Sequence, residues 1–144
     1  MDEHIDLYEL LGGAGVLRDV HGQPDALVTT IREGLPYASF EYVATALASD
    51  RDTLSRVLTI PARTLQRRRK EARLQPDESD RLARLARVVG RAGRVLGDLE
   101  RANRWLARPN RALDGQPPLT LLDTDLGCEQ VTNLLGRIET GVYT

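Results

Sequence analysis

The stretch that decides the fold is residues 50–73, DRDTLSRVLTIPARTLQRRRKEAR. Asp50 or Asp52 can cap a helix of about two turns, because a carboxylate at this position accepts a backbone N–H. Thr59 and Pro61 then predict a break, with Thr59 capping a second helix that continues to the end of the stretch. Two short helices joined by a tight turn, the second of them basic, are typical of a helix-turn-helix.

The charges of the chain are sorted along its length, although the net charge is only −1. Residues 1–50 carry two arginines against nine acids, and residues 112–144 carry one arginine against five. Residues 51–111 carry seventeen basic against seven acidic side chains, a net charge of +10. A polyanion responds to this local field and not to the sum, so the basic middle indicates nucleic-acid binding.

One face of the second helix is expected to contact operator double-stranded DNA. Leu65 points toward the preceding helix, and the opposite stripe has the i, i+3, i+4, i+7 spacing of one helix face. The proposed DNA-binding residues are Arg63, Gln66, Arg67 and Lys70, followed by Arg73. Arginine can contact guanine and glutamine can contact adenine, whereas the other basic groups suit phosphates. The alternative is a solvated, arginine-rich face on a structural helix.

The remainder of the chain also has helical periodicity, which predicts an all-α fold. A long helix begins at Pro76, with a break near Gly97 and a basic face from Arg81 to Arg94. That face can be solvated, flank DNA or contact a protein partner, and the solvated interpretation is preferred. A last helix runs from a Thr124 cap to Thr140, with Gly141 at its end.

Several classes of function are not indicated by the composition. No apolar run approaches the ~20 residues of a membrane helix, and the acidic N-terminus lacks a signal-peptide pattern. A single cysteine, Cys128, excludes an internal disulfide, fits a reducing cytoplasm and is expected to be a core thiol. No acid/base pair, nucleophile or metal-ligand spacing is present, so we expect no enzyme activity, no metal and no cofactor.

The C-terminal half carries a family resemblance. Residues 105–124 read WLARPNRALDGQPPLTLLDT, followed by Gly127 and by LGRIETG at 135–141. This string resembles the toxin-binding domain of the Xre/MbcA/ParS antitoxins, partners of RES-domain toxins that consume NAD. The resemblance extends to Gly34-Leu35-Pro36 and covers about residues 30–144. Trp105 is expected to lie largely in the core beneath the turn that follows it.

The resemblance implies an antitoxin that inhibits a cognate RES-domain toxin and represses its own operon. One helix-turn-helix makes a small interface, so we also expect a homodimer on two half-sites of the DNA. The resemblance implies an N-terminal extension (1–24), an Xre-like helix-turn-helix domain (25–76) and a small helical toxin-binding domain (77–144). The residues carried over as the toxin-binding plug are Gly141, Val142, Tyr143 and Thr144. Two alternatives remain: a plain helix-turn-helix regulator with a C-terminal dimerisation or sensing module, and a nucleic-acid-processing enzyme.

Overall fold

A computed structural model describes residues 3–17 and 24–141, and the regular elements within these ranges are helices, as predicted. Short 3₁₀ turns cover Gly13–Gly15, Arg111–Leu113 and Pro118–Leu121. The eight α-helices are α1 (Glu3–Leu10), α2 (Pro24–Glu33), α3 (Tyr37–Ala46), α4 (Arg51–Leu58), α5 (Ala62–Glu71), α6 (Pro76–Leu96), α7 (Leu99–Ala107) and α8 (Asp125–Thr140).

The central element is α6, which packs against α1, α2, α4, α7 and α8. Its apolar stripe, which includes Leu82, Leu85 and Val89, is buried in a core shared with the other helices. The predicted break is confirmed at Gly97, whose φ of 114° ends α6. Asp98 then begins α7, because its carboxylate accepts the N–H of Arg101 at 2.8 Å.

The N-terminal segment contributes to this core. Leu7, Tyr8 and Leu11 are buried, and α1 packs against α6 and α3. The hydroxyl of Ser39 on α3 donates to the carbonyl of Leu11 at 2.7 Å. The part of residues 1–24 that the structure describes is therefore packed into the fold rather than appended to it.

The turn between α4 and α5 differs from the prediction. Thr59 does not cap α5; it lies at the C-terminal end of α4 with a left-handed φ of 54°. The N–H of Ile60 donates to the carbonyl of Ser55 at 3.0 Å, so the turn satisfies the last carbonyls of α4. Pro61 occupies the position before α5 and offers no side-chain cap. The residue before a proline avoids the helical region, which separates the two helices.

A backbone clasp joins the two ends of the segment that holds α3, α4 and α5. Pro36 and Arg73 form an antiparallel bridge, and the N–H of Leu74 donates to the carbonyl of Leu35 at 2.8 Å. The N–H of Leu35 donates in turn to the hydroxyl of Ser79 on α6 at 2.7 Å. The clasp therefore fixes the three helices to the start of α6.

Gly34 makes this clasp possible. It is buried with a φ of +104°, and a Cβ at this position would lie 2.3 Å from the carbonyl oxygen of Leu74. Gly115 is an exposed counterpart with a φ of +82°, and a Cβ there would have no neighbour within 4 Å. The two positions share a backbone conformation that disfavours a side chain, and only Gly34 adds a backbone clash.

We expect Gly115→Ala to lower the free energy of unfolding by about 1 kcal/mol, the cost of the backbone conformation alone. Gly34→Ala should cost clearly more, because the clash is added to the strain. Urea unfolding of both variants, followed by circular dichroism, measures the difference. Equal losses at the two positions would show that the close approach of Gly34 to Leu74 is unimportant.

Candidate nucleic-acid and protein interfaces

The helix-turn-helix is formed by α4 and α5. Asp50 caps α4 by accepting the N–H of Thr53 at 2.7 Å, and this hydrogen bond lowers the pKa of the Asp50 carboxyl. Leu54, Leu58 and Leu65 are buried between the helices and the rest of the core. The predicted cap and the predicted inward position of Leu65 are therefore confirmed.

The stripe predicted on α5 lies on the surface. All four of its side chains are exposed, on the side of the helix away from the buried Leu65: Arg63, Gln66, Arg67 and Lys70. Arg73 lies beyond the end of α5 and is exposed as a residue, but one of its guanidinium nitrogens donates to the carbonyl of Gly34 at 2.8 Å. Arg73 thus also holds the clasp together, a role that its sequence position does not reveal.

Arg68 belongs to the same basic run but faces the protein. Its Nε and Nη2 donate to the two carboxylate oxygens of Glu78 at 2.8 and 3.0 Å, and its Nη1 donates to Glu71 at 3.2 Å. Glu78 is buried, and its carboxylate raises the pKa of the Arg68 guanidinium. One of the eight basic side chains in residues 51–73 is therefore neutralised within the fold.

The signal for this pair was present at the start of α6. Glu78 is the third residue of the helix, and its carboxylate also accepts the N–H of Gln75 at 2.8 Å. The side-chain carboxylate of an acid at this position often accepts a hydrogen bond from the backbone N–H of the residue that precedes the helix. Pro76 marks the start of the helix in the sequence and so identifies Glu78 as its third residue. The fold is needed to show that Arg68 is the arginine that pairs with Glu78.

The solvated interpretation that we preferred for the basic face of α6 is wrong for three of its arginines, whereas Arg87 on the same face is exposed. Arg81 donates through Nε to the carbonyl of Leu58 at 2.8 Å. Arg84 approaches Asp125 at 3.9 Å and Arg91 pairs with Glu139 at 3.3 Å, so both reach α8. The side chains of these three arginines are mostly buried. They fasten α6 to α4 and α8, because Arg81 bonds a carbonyl of α4 and the acidic partners of Arg84 and Arg91 lie on α8.

The connection between α7 and α8 is organised by Asn110. Its side-chain oxygen accepts the N–H of Ala112 at 2.9 Å, and its own N–H donates to the carbonyl of Gln116 at 3.2 Å. Its carbonyl accepts the N–H groups of Leu113 and Gly115. Asn110 therefore holds together the turn that follows α7.

The start of α8 needs a glycine. The hydroxyl of Thr124 accepts the N–H of Gly127 at 2.9 Å, which confirms the predicted cap. A Cβ on Gly127 would lie 1.7 Å from the carbonyl oxygen of Leu121, so only glycine permits this approach. Cys128 follows as a buried thiol, as predicted, and its burial raises its pKa.

Trp105 and the chain end complete the C-terminal half. The indole packs against the core as predicted, but it is only partly buried and also lines a cleft. Gly141 ends α8 with the predicted left-handed φ of 76°. The other residues predicted to bind the toxin, Val142, Tyr143 and Thr144, lie outside the described residues.

Comparison with known proteins identifies the family. Residues 26–87 match the antitoxin Xre-like helix-turn-helix domain, and residues 91–141 match the antitoxin Xre/MbcA/ParS C-terminal toxin-binding domain. An Antitoxin Xre of Yersinia enterocolitica is 33% identical over 120 residues, which cover 82% of this chain and 81% of that protein. The chain belongs to the Xre antitoxin family.

Two further relatives of this Xre-family antitoxin are informative. An Antitoxin Xre of Pseudomonas putida is 40% identical over 83 residues, which cover 57% of the chain and 52% of that protein. A "Prs ADP-ribosylating antitoxin" of a Sphingobium species is 27% identical over 128 residues, with 81% and 79% coverage. The two domain matches give the chain a DNA-binding helix-turn-helix and a toxin-binding domain. The boundary between residues 76 and 77 stays a prediction.

The described part of the chain covers residues 3–17 and 24–141. None of its helices has the length and apolar character needed to cross a membrane. No group of three or more histidine, cysteine or acidic residues in it is arranged to hold a metal ion.

The Arg68–Glu78 pair should be essential for stability and Arg69 should not be. Arg68→Ala leaves a buried carboxylate without its partner, which should cost about 3 kcal/mol. Arg69→Ala removes an exposed arginine from the same helix and should change the free energy of unfolding by less than about 0.5 kcal/mol. Thermal or urea unfolding compares the two variants, and similar stabilities would show that the pair contributes little.

Proposed function

We propose that this antitoxin binds and inhibits a RES-domain, NAD-consuming toxin and represses its own operon through α5. The observation that carries the proposal is the exposed basic stripe of α5, on a helix fixed by Arg68 and Glu78 to the start of α6. Because α6 also packs against α7 and α8, one chain presents a DNA-binding face and a toxin-binding domain together. The chain would act by binding, in the cytoplasm, without catalysis.

The chemistry of the α5 stripe supports sequence-specific binding of double-stranded DNA. An α-helix fits the major groove, where arginine can bond guanine bidentately and glutamine can bond adenine. Arg63, Gln66 and Arg67 are the proposed base-reading residues, and Lys70 and Arg73 the proposed phosphate contacts. Phosphate contacts set the position of the helix, and the base contacts supply the specificity.

A homodimer is the assembly that this reading requires. One helix-turn-helix contacts a short stretch of DNA, and proteins of this type bind two half-sites about 34–36 Å apart through two copies. We therefore propose a symmetric dimer on the operator. Two copies would also present two toxin-binding domains for each operator site.

The identity of the toxin is supported by the family and by the name of one relative. The Sphingobium relative is named for ADP-ribosylation of Prs, and NAD is the usual donor of an ADP-ribosyl group. An antitoxin of this kind would hold a toxin whose substrate is NAD. This agrees with the RES-domain partner that the C-terminal sequence resemblance implies.

Inhibition is proposed to use the C-terminal tail. Gly141 has a left-handed conformation and no neighbour within 4 Å of an added Cβ, so the chain can leave the axis of α8 there. Val142, Tyr143 and Thr144 follow, and a tyrosine is a rigid, amphipathic anchor for a pocket. The tail would obstruct the active-site cleft of the toxin while the toxin-binding domain supplies most of the contact area.

Replacement of the base-reading residues should weaken operator binding specifically. Each of Arg63→Ala, Gln66→Ala and Arg67→Ala should cost about 1–3 kcal/mol on the operator and relax specificity at one position. Lys70→Ala should weaken all DNA similarly and reduce the salt dependence. Binding to the promoter upstream of the gene is the measurement.

Arg69→Ala is the matched control for that series, since it removes an exposed arginine of α5 outside the stripe. Its operator affinity should fall much less than that of Arg67→Ala. If a triple alanine variant of Arg63, Gln66 and Arg67 kept the operator affinity of the wild type, α5 would not be the helix that lies in the major groove.

Deletion of residues 142–144 should impair neutralisation of the toxin without affecting the fold. Helix content and operator affinity should stay unchanged, because the deleted residues follow the end of α8. Growth of cells that co-express the toxin measures neutralisation, and Tyr143→Ala alone should reproduce most of the loss. Full protection by the truncated chain would contradict the plug mechanism and leave inhibition to the toxin-binding domain.

A further inference from the structure

A second exposed basic face lies on α7, outside the helix-turn-helix. Arg101, Arg104 and Trp105 have the i, i+3, i+4 spacing of one helix face, and Arg108 follows the end of α7 in an extended conformation. The three arginines are exposed, whereas Ala102 and Leu106 on the inner side of α7 are buried. The face therefore points away from the core, with Trp105 at the boundary between core and solvent.

This face borders a cleft of about 560 Å³. Apolar parts of the cleft come from Leu96, Trp105 and Pro109, and its polar lining comes from Asn110 and four arginines, Arg101, Arg104, Arg108 and Arg111. Among the described residues that line it, none is acidic. Arg104 pairs with Glu100 at 2.9 Å, whereas Arg101, Arg108 and Arg111 form no ion pair with the described part of the chain.

We infer that this cleft docks an acidic surface of the toxin, with an apolar side chain of the toxin against Trp105. The inference rests on the proposed function and adds the place and the chemistry of the contact. Protein interfaces are enriched in tryptophan and arginine, and their strongest contacts combine a partly desolvated aromatic centre with a polar rim. A cleft with unpaired arginines around an indole has that composition, and carboxylates are the groups that would pair with it.

The composition of the two basic faces favours a protein partner here over DNA. The stripe of α5 holds only charged and amide side chains, which suits phosphates and base edges. The cleft beside α7 places the exposed part of Trp105 next to Leu96 and Pro109. Burial of such an apolar surface against another protein is favourable. The face also lies within residues 91–141, the part of the chain that matches the toxin-binding domain.

Reciprocal charge reversal on the two helices tests the inference with the full-length chain and the purified RES-domain toxin. Arg101→Glu combined with Arg108→Glu should weaken toxin binding about tenfold or more and leave operator affinity unchanged. Arg63→Glu combined with Arg67→Glu, matched in charge change, should abolish operator binding and leave toxin affinity unchanged. All four side chains are exposed, so circular dichroism melts should show that both double variants remain folded.

The single tryptophan supplies a second readout that reports on the cleft itself. Incorporation of 5-fluorotryptophan gives the chain one ¹⁹F resonance, because Trp105 is the only tryptophan. Unlabelled toxin should shift this resonance, and operator DNA should leave it unchanged. The toxin affinity should also fall as salt increases, with a weaker dependence in the Arg101/Arg108 variant.

The outcomes separate the two proposals. If the wild-type chain forms no complex with a RES-domain toxin, the proposed function is overturned and this inference with it. If the complex forms but the Arg101/Arg108 variant binds as tightly and the resonance does not move, only the docking surface is overturned. A loss of operator affinity in that variant, with toxin affinity kept, would assign the face to nucleic acid and overturn the inference.

Discussion

The buried contact between Arg68 and Glu78 holds the two halves of the molecule in register. The carboxylate accepts two hydrogen bonds from α5 and one from the backbone that starts α6, at distances of 2.8 to 3.0 Å. The next residue, Ser79, accepts the N–H of Leu35 from the clasp. Two consecutive side chains of α6 therefore fix both the recognition helix and the segment before α3. The orientation of the basic stripe depends on this junction, since a buried ion pair has little tolerance for displacement.

Helix positions followed from the sequence wherever a local signal was sufficient. Asp50, Asp98 and Thr124 are caps that bond to N–H groups within three residues, and Gly97 and Gly141 end helices through their own backbone freedom. Thr59 was assigned wrongly because a threonine in a short turn between two helices can belong to the end of the first or the start of the second. Thr59 belongs to the end of α4 because the last carbonyls of that helix accept hydrogen bonds from the N–H groups of the turn. The buried position of α1 was missed, because its weak amphipathic pattern becomes informative only once α6 and α3 are in place.

Predictions about charge succeeded on one helix and failed on another for a physical reason. The stripe of α5 was identified by its position opposite Leu65, a relation contained within a single helix. The arginines of α6 find their partners far along the chain: Arg91 meets Glu139 across 48 residues, and Arg81 meets a carbonyl 23 residues earlier. The spacing of residues within one helix cannot reveal partners so far along the chain. Arginines that form a charged face in the sequence therefore pack between helices in the fold. Arg68 shows the same effect within the basic run itself.

The distribution of acidic and basic residues along the sequence therefore does not give the distribution of charge on the surface of the folded chain. Basic side chains of α6 are paired across the core boundary, where they join helices, and the exposed positive charge is concentrated on α5 and α7. These two faces differ in the side chain that lies between the charges, which is an amide on α5 and an indole on α7. Charge of one sign attracts any polyanion or acidic surface at long range, so charge alone does not distinguish the two faces. The side chain at the centre of each face does, because an indole gains by leaving water whereas an amide can bond the edge of a base.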